Sequence, residues 1–247
     1  MKYTIDSPVG KLDIHSNPDD RSITPSLKSG VYEPDIQNLL YHYIEPEYIT
    51  FDIGANVGQH TILMAKLSKE CHAFEASKSN VDYIRESIAS NEINSVTVYN
   101  TFLDNKVGSI KYCERKDGHG WNMGILEGCN FDMKEEDLID VPTFVLKDLV
   151  SVQPDLIKID IEGSELGVVK SSQEIFANCK VVVCEFNNHT AKYHNTTSKE
   201  LVQEFYNLGY SEFVFYQPGI RKYKSIPISS LYDQIDGILM ITGALLK

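Results

Sequence analysis

Phe51-Asp52-Ile53-Gly54-Ala55-Asn56-Val57-Gly58-Gln59-His60 follows the apolar run Tyr48–Ile53 and precedes the helix-forming run Thr61–Leu67. An apolar strand, a turn punctuated by glycines and a helix make one βα unit, and a strand–helix turn of this kind is a ligand seat. The glycines let a ligand approach backbone N–H groups at the positive end of a helix. A dinucleotide site wants G-x-G-x-x-G, whose second glycine admits a pyrophosphate, and Asn56 occupies that position here. No G-x-x-x-x-G-K-[ST] cradle for a triphosphate occurs either. The ligand expected at this turn therefore lacks a pyrophosphate.

Cys71–Phe74 reads as a second strand, Asn80–Asn91 as a helix and Val96–Asn100 as a third strand. Consecutive βα units imply a parallel sheet. The alternation resumes with Leu156–Ile161 as a buried strand, Glu165–Phe176 as a helix and Val181–Phe186 as a strand, so about five parallel strands are expected. Ser198–Leu208 reads as a helix with Ser198 as N-cap and Gly209 just past its end. Glu212–Tyr216 and Ile238–Thr242 follow as final, antiparallel strands, with Pro218, Gly219 and Pro227 marking a long loop between them. Residues 1–45 and 105–147 break the pattern. The first is read as an N-terminal cap on a single domain spanning 1–247, the second as an inserted lid or acceptor-binding loop holding two β-like pieces, Ser109–Cys113 and Val141–Val145.

Composition narrows the class of partner. With 35 acidic against 23 basic side chains the formal charge is −12, which argues against a nucleic-acid substrate. The five cysteines form no C-x-x-C pair and read as reduced packing thiols. The N-terminus lacks the apolar stretch of a signal peptide, and Gly237–Leu246 is too short to span a bilayer, so a cytoplasmic protein without a membrane span is expected.

Glu75 ends the second strand about twenty residues past Gly54, the spacing at which an acidic side chain accepts hydrogen bonds from ribose hydroxyls. A ribose without a pyrophosphate suggests S-adenosylmethionine. At this point a family resemblance emerges, carried by Val31-Tyr32-Glu33-Pro34, Phe51–Gly58, Ala73-Phe74-Glu75, Leu103–Gly108, Val145–Leu149 and Asp155–Glu165 in that order. The chain resembles the FkbM-type S-adenosylmethionine-dependent methyltransferases over roughly residues 31–187. The resemblance implies the α/β, Rossmann-like class I methyltransferase sheet, seven mostly parallel strands with the last antiparallel, and methyl transfer to a hydroxyl oxygen. It also implies that Asp52, Gly54 and Asn56, with Gly58 in the same turn, lie along the methionine part of the cofactor. Glu75 would hold the ribose and Asp104 or Asn105 the adenine edge, with Asp160 also beside the cofactor. The sequence departs from the family at Ser77-Lys78, where a proline-containing continuation is usual, and at Lys147-Asp148, where a doubled acid is usual.

Three side chains are candidates for the chemistry. Strand alternation puts Asp160 and Glu162 on one face at the carboxyl edge of the sheet, where either could orient or deprotonate an acceptor hydroxyl. His189, after the strand Val181–Phe186, is the candidate base, since imidazole titrates near neutral pH. A solvated strand end and a surface-loop histidine are the competing readings. A divalent ion, held with Glu185 or His189, is conceivable but not favoured, because no dense ligand cluster is visible. His119, Trp121 and Asn122, in a glycine-flanked segment with the single tryptophan, are candidate contacts to a sugar or other polyhydroxylated ring. The expected activity is O-methylation of a sugar hydroxyl in a surface glycan or its precursor. The alternatives are a polyketide or other secondary-metabolite hydroxyl as acceptor, or a catalytically idle cofactor-binding partner subunit.

Overall fold

The computed structural model describes residues 1–113, 123–125 and 138–247. The chain starts with an antiparallel hairpin, β1 (Lys2–Ser7) and β2 (Gly10–His15), followed by α1 (Thr24–Ser29) and α2 (Pro34–Tyr43). Alternation along the hairpin buries Tyr3, Ile5, Leu12 and Ile14 on one face. The other contacts are polar: the His15 N–H donates to Ser87 Oγ at 2.8 Å, and Asn91 Nδ2 to the Asp13 carbonyl at 2.6 Å.

The expected βα units follow. They are β3 (Ile49–Ile53), α3 (Gln59–Leu67), β4 (Glu70–Glu75), α4 (Lys78–Ser90) and β5 (Val96–Asn100). After an excursion described below come β10 (Leu156–Ile159), α6 (Glu165–Ser171), α7 (Gln173–Asn178), β11 (Val181–Asn187), α8 (Asn188–Ala191) and α9 (Ser198–Asn207). The chain closes with β12 (Glu212–Gln217), β13 (Lys222–Pro227), α10 (Ile228–Gln234) and β14 (Met240–Leu246). The strands lie in the order β13-β12-β14-β11-β10-β3-β4-β5. β5, β4, β3, β10 and β11 are parallel, while β14 pairs antiparallel with both β11 and β12.

Every side chain of β10 is buried, because helices cover both faces of the sheet. On one face Phe176, Phe186, Phe205 and Phe213 pack under α6, α7 and α9; on the other, Leu40, Ile62 and Leu63 from α2 and α3 cover Val183 and Ala244. The strand order reverses between β3 and β10, and open α/β sheets bind ligands at that switch point.

The structure corrects three expectations. The sheet has eight strands rather than seven, because Lys222–Pro227 adds a polar edge strand to β12 where a loop was expected. The helix expected over Glu165–Phe176 is two, broken at Ser172, whose φ of −133° leaves the helical region. Strand β10 stops at Ile159, so Asp160 and Glu162 sit in the turn beyond it and strand alternation does not orient them. A smaller point is that Thr197, not Ser198, caps α9, in a reciprocal capping box with Glu200.

The excursion forms a second, four-stranded sheet of β6 (Phe102–Leu103), β7 (Gly108–Cys113), β8 (Met123–Ile125) and β9 (Leu138–Phe144), in the order β6-β9-β7-β8. The two β-like pieces read from the sequence are β7 and β9, paired antiparallel, and α5 (Leu146–Leu149) leads back to the main sheet. Cys71, Cys179 and Cys184 are buried free thiols, as packing cysteines should be. Among the described residues no helix is long and apolar enough to cross a membrane.

Candidate active site

The turn after β3 is fixed from three sides. Asp52 is fully buried, and its Oδ2 accepts a 2.6 Å hydrogen bond from Thr61 Oγ1, tying the strand to the first turn of α3. Gly54 has φ +80°, and a Cβ there would run into the backbone carbonyl of Asp160, so only glycine lets the two strand ends touch. Asn56 also has positive φ, at 53°. Its N–H donates to Glu75 Oε2 at 2.8 Å, while Glu75 Oε1 accepts from the Ser77 N–H at 2.8 Å. Glu75 thus staples the ends of β3 and β4 together. Burial lifts its carboxyl to about 7, against the pull of those two amides.

These residues form one wall of an open cleft at the switch point, about 770 Å³ with the solvent space at its mouth included. Phe74, Phe102, Leu103 and Tyr112 give it an apolar end, and Tyr32, Asp160 and Glu162 close the other side. Gln59 also lines it, and its buried Oε1 has no hydrogen-bond partner among the described residues. The donor set fits S-adenosylmethionine: a carboxyl for ribose hydroxyls at Glu75, an apolar slot for a base, and an orphaned amide oxygen for an ammonium group. Asp52 and Gly58 do not line the cleft and shape the turn beneath it instead. Asp104 and Asn105 do not line it either; Thr101–Leu103, just before them, does. The Asp104 carboxylate accepts from the Asn105 N–H at 2.7 Å and lies 3.5 Å from the space a Cβ on Gly167 would take, toward α6.

Lys158, inside the Leu156-Ile157-Lys158-Ile159 run, brings a charge into this edge. Its side chain is only 6% exposed, and Nζ donates to the Gly54 carbonyl at 2.9 Å, with Asp52 Oδ1 at 3.4 Å and Asp160 Oδ2 at 3.7 Å. Burial alone would lower its proton affinity, but the carboxylates of Asp52, Asp160 and Glu33 outweigh burial and hold it above the usual lysine value. One ammonium does not balance the carboxyls around it. Burial first, and Asp160 and Glu165 next, lift Glu162 to about 8. Glu165, whose Oε1 accepts from the N–H groups of Ile161 and Gly163, is lifted by burial to about 7. Burial and the neighbouring carboxylates also raise Glu185. Glu162 has φ 55°, so with Asn56 two strained non-glycine residues line the cleft, and Glu33, beside it, has φ 38°.

On the α2–α3 side of Lys158 and Asp160 lies a second, much smaller crevice, with room for about one water-sized group, to which Glu33, His60, Glu185 and Thr242 contribute. His189 lines neither cavity. It lies on α8, where the Asn187 side chain accepts from its N–H, its Nδ1 is 3.3 Å from Lys192 Nζ, and its ring meets Tyr193 edge-on. His119, Trp121 and Asn122 lie outside the described residues. Among the described residues no group of three or more His, Cys, Asp or Glu is arranged to hold a metal ion. Lys158 stands in an otherwise apolar run, and nothing within that run gives its charge a partner. Tyr32, Glu33, Gln59 and His60 stood within the motif stretches but carried no chemical signature of their own.

The sequence profile of the methyltransferase FkbM domain matches residues 52–212, well over half of the chain. No curated protein matches it. Among solved structures the chain is similar to a precorrin-6y C5,15-methyltransferase from Geobacter metallireducens GS-15, with TM-score 0.51 and 11% identity over 99% of this chain and 98% of that one. It is also similar to methyltransferase FkbM from Methylobacillus flagellatus KT, with TM-score 0.51 and 14% identity over 92% of this chain, which spans about half, 55%, of that protein. A precorrin 8w decarboxylase from Methanobacterium thermoautotrophicum matches with TM-score 0.50 and 9% identity over 95% and 96% of the two chains. At such identities the likeness is one of fold, and that fold is the class I methyltransferase sheet.

Proposed function

The chain belongs to the methyltransferase FkbM family, and from that premise we propose that it transfers the methyl of S-adenosylmethionine to a hydroxyl of a sugar in a glycan or glycan precursor. The observation that carries the reading is the cleft in which the Gly54–Asn56 turn and Glu75 face Asp160 and Glu162 across the switch point. Glu75 receives the ribose hydroxyls, Gln59 Oε1 the ammonium, and Phe102, Leu103 and Tyr112 the base. Bound there, S-adenosylmethionine supplies a sulfonium methyl whose transfer leaves the bonding electron pair on sulfur.

The protein's share is alignment and proton removal. Asp160, with 34% of its side chain open, is placed to orient the acceptor hydroxyl. Glu162 takes the hydroxyl proton. Its carboxyl, raised to about 8, holds a proton more tightly than an ordinary carboxylate, which suits it to a weakly acidic alcohol near neutral pH. His189 is not retained as base, since it lines neither cavity. Lys158 positions Asp160 and neutralises part of the surrounding charge. Incubation with S-adenosylmethionine and a panel of hydroxylated sugars, polyketide alcohols and amines, read by mass spectrometry, tests the reading. A one-methyl increment on a sugar oxygen supports it, whereas methylation confined to nitrogen, carbon or a polyketide oxygen overturns the acceptor assignment.

A further inference from the structure

The crevice beside the cleft has a chemistry that the cofactor does not explain. It shares Lys158 and Asp160 with the cleft, so a group seated in it lies next to the place where the methyl is delivered. Three carboxyl side chains, Glu33, Asp160 and Glu185, line it, and Lys158 is the one cation among its lining residues. That ammonium already donates to the Gly54 carbonyl and faces Asp52. Although 46% of the Glu33 side chain is open to solvent, its Oε2 is turned inward to 3.5 Å from His60 Nε2. Among the described residues Glu185 Oε2 accepts only from Asn187 Nδ2, at 3.3 Å, which leaves acceptor capacity toward the crevice.

The second observation is independent of the acids. His60 is 1% exposed, and neither ring nitrogen makes a hydrogen bond among the described residues. Burial, reinforced by the Lys158 charge, holds the imidazole well below the usual histidine value, so the ring is neutral and offers one donor and one acceptor. A buried polar ring with both nitrogens unsatisfied is costly unless a partner completes it. An ammonium group is small enough to enter and, with three donors, can complete the ring's acceptor nitrogen.

Resting on the methyltransferase reading, we infer that this crevice receives the protonated primary amine of the acceptor, held by Glu33 and Glu185 and donating to the unprotonated nitrogen of His60, with the sugar ring outside it on the cleft side; the preferred acceptor is an amino sugar rather than a neutral or N-acylated one. A surplus of carboxyls around one committed ammonium disfavours an anionic ligand and leaves a neutral one without compensation for their desolvation. A cationic amine answers both requirements.

The test uses the whole chain saturated with S-adenosylhomocysteine and titrated with glucosamine, N-acetylglucosamine and glucose. Glucosamine should bind at least about tenfold more tightly than either of the others, the scale of a charge-assisted hydrogen bond. Glu185→Gln and Glu33→Gln should each remove most of that preference, with affinity for S-adenosylhomocysteine as the check on folding. Equal binding of the three sugars, preference for an uncharged one, or no binding of any overturns the inference while leaving the methyltransferase reading intact. Failure of S-adenosylhomocysteine to bind overturns the methyltransferase reading instead, and the same titrations on the free protein then still decide the amine preference.

Discussion

Replacing Lys158 by methionine removes one charge from a place where nothing can substitute for it. Nζ makes a 2.9 Å hydrogen bond to the Gly54 carbonyl and stands 3.4 Å from Asp52 Oδ1, an atom that is buried and has no other hydrogen-bond partner among the described residues. Methionine fills much the same volume, so the packing loss is small and the electrostatic loss dominates. Breaking a buried ion pair from one side costs about 3–5 kcal/mol, and for a chain of this size each kcal/mol moves Tm by about 2–4 °C. Lys158→Met should therefore lower Tm by about 6–20 °C in differential scanning calorimetry. The double variant Lys158→Met/Asp52→Asn should recover a clear part of that loss, because it removes the stranded carboxylate. A single variant within about 1 kcal/mol of the parent, or a double variant no better than the single one, would refute the assignment of Lys158 as the counter-charge of this edge.

Gly54→Ala places a Cβ against the Asp160 carbonyl at φ +80° and should destabilise the chain by more than about 2 kcal/mol, measured by denaturant unfolding. Glu75→Gln exchanges an acceptor for a donor facing either the Asn56 or the Ser77 N–H; affinity for S-adenosylmethionine should fall about 10–100-fold by calorimetry. With Glu162 as base, kcat should rise as pH passes through about 8, because the raised carboxyl must first lose its proton, and Glu162→Gln should lower kcat about 10²–10⁴-fold and abolish that limb. Glu75, Glu162 and Glu165 hold their protons to about 7, 8 and 7 in the folded chain, above the usual carboxylate value. Between about pH 4.5 and 8 the folded state therefore binds more protons than the unfolded one, and Tm of the ligand-free protein should fall as pH rises across that window.

The cleft wall was legible because backbone geometry dictated it. Gly54 and Asn56 announce a turn that needs positive φ, and Glu75 stands at the spacing where the next strand must end beside it. Side chains that act through tertiary contact were not legible. Lys158 sits in a run otherwise indistinguishable from an apolar strand, and only the approach of Asp52 and Asp160 makes its burial intelligible. His189 follows a strand that points at the cleft, yet Asn187 accepts from the N–H groups of His189 and Thr190 and starts a helix that carries the ring elsewhere. Strand β13 was missed because edge strands are protected by polar residues, and Lys222-Tyr223-Lys224-Ser225 has the composition of a loop. Asp104 or Asn105 was expected at the adenine edge from its place in the family pattern; the pairing of Phe102–Leu103 with β9 puts Thr101–Leu103 in the cleft wall instead.

The switch-point cleft is the proposed seat for S-adenosylmethionine. Isothermal titration of the intact chain with S-adenosylmethionine, S-adenosylhomocysteine and NAD⁺ in parallel tests it most directly, because Asn56 stands where a pyrophosphate needs glycine. One site per chain for the two adenosyl ligands, weakened by Glu75→Gln, with no heat from NAD⁺, is the expected result. Saturable NAD⁺ binding with no response to either adenosyl ligand would contradict it.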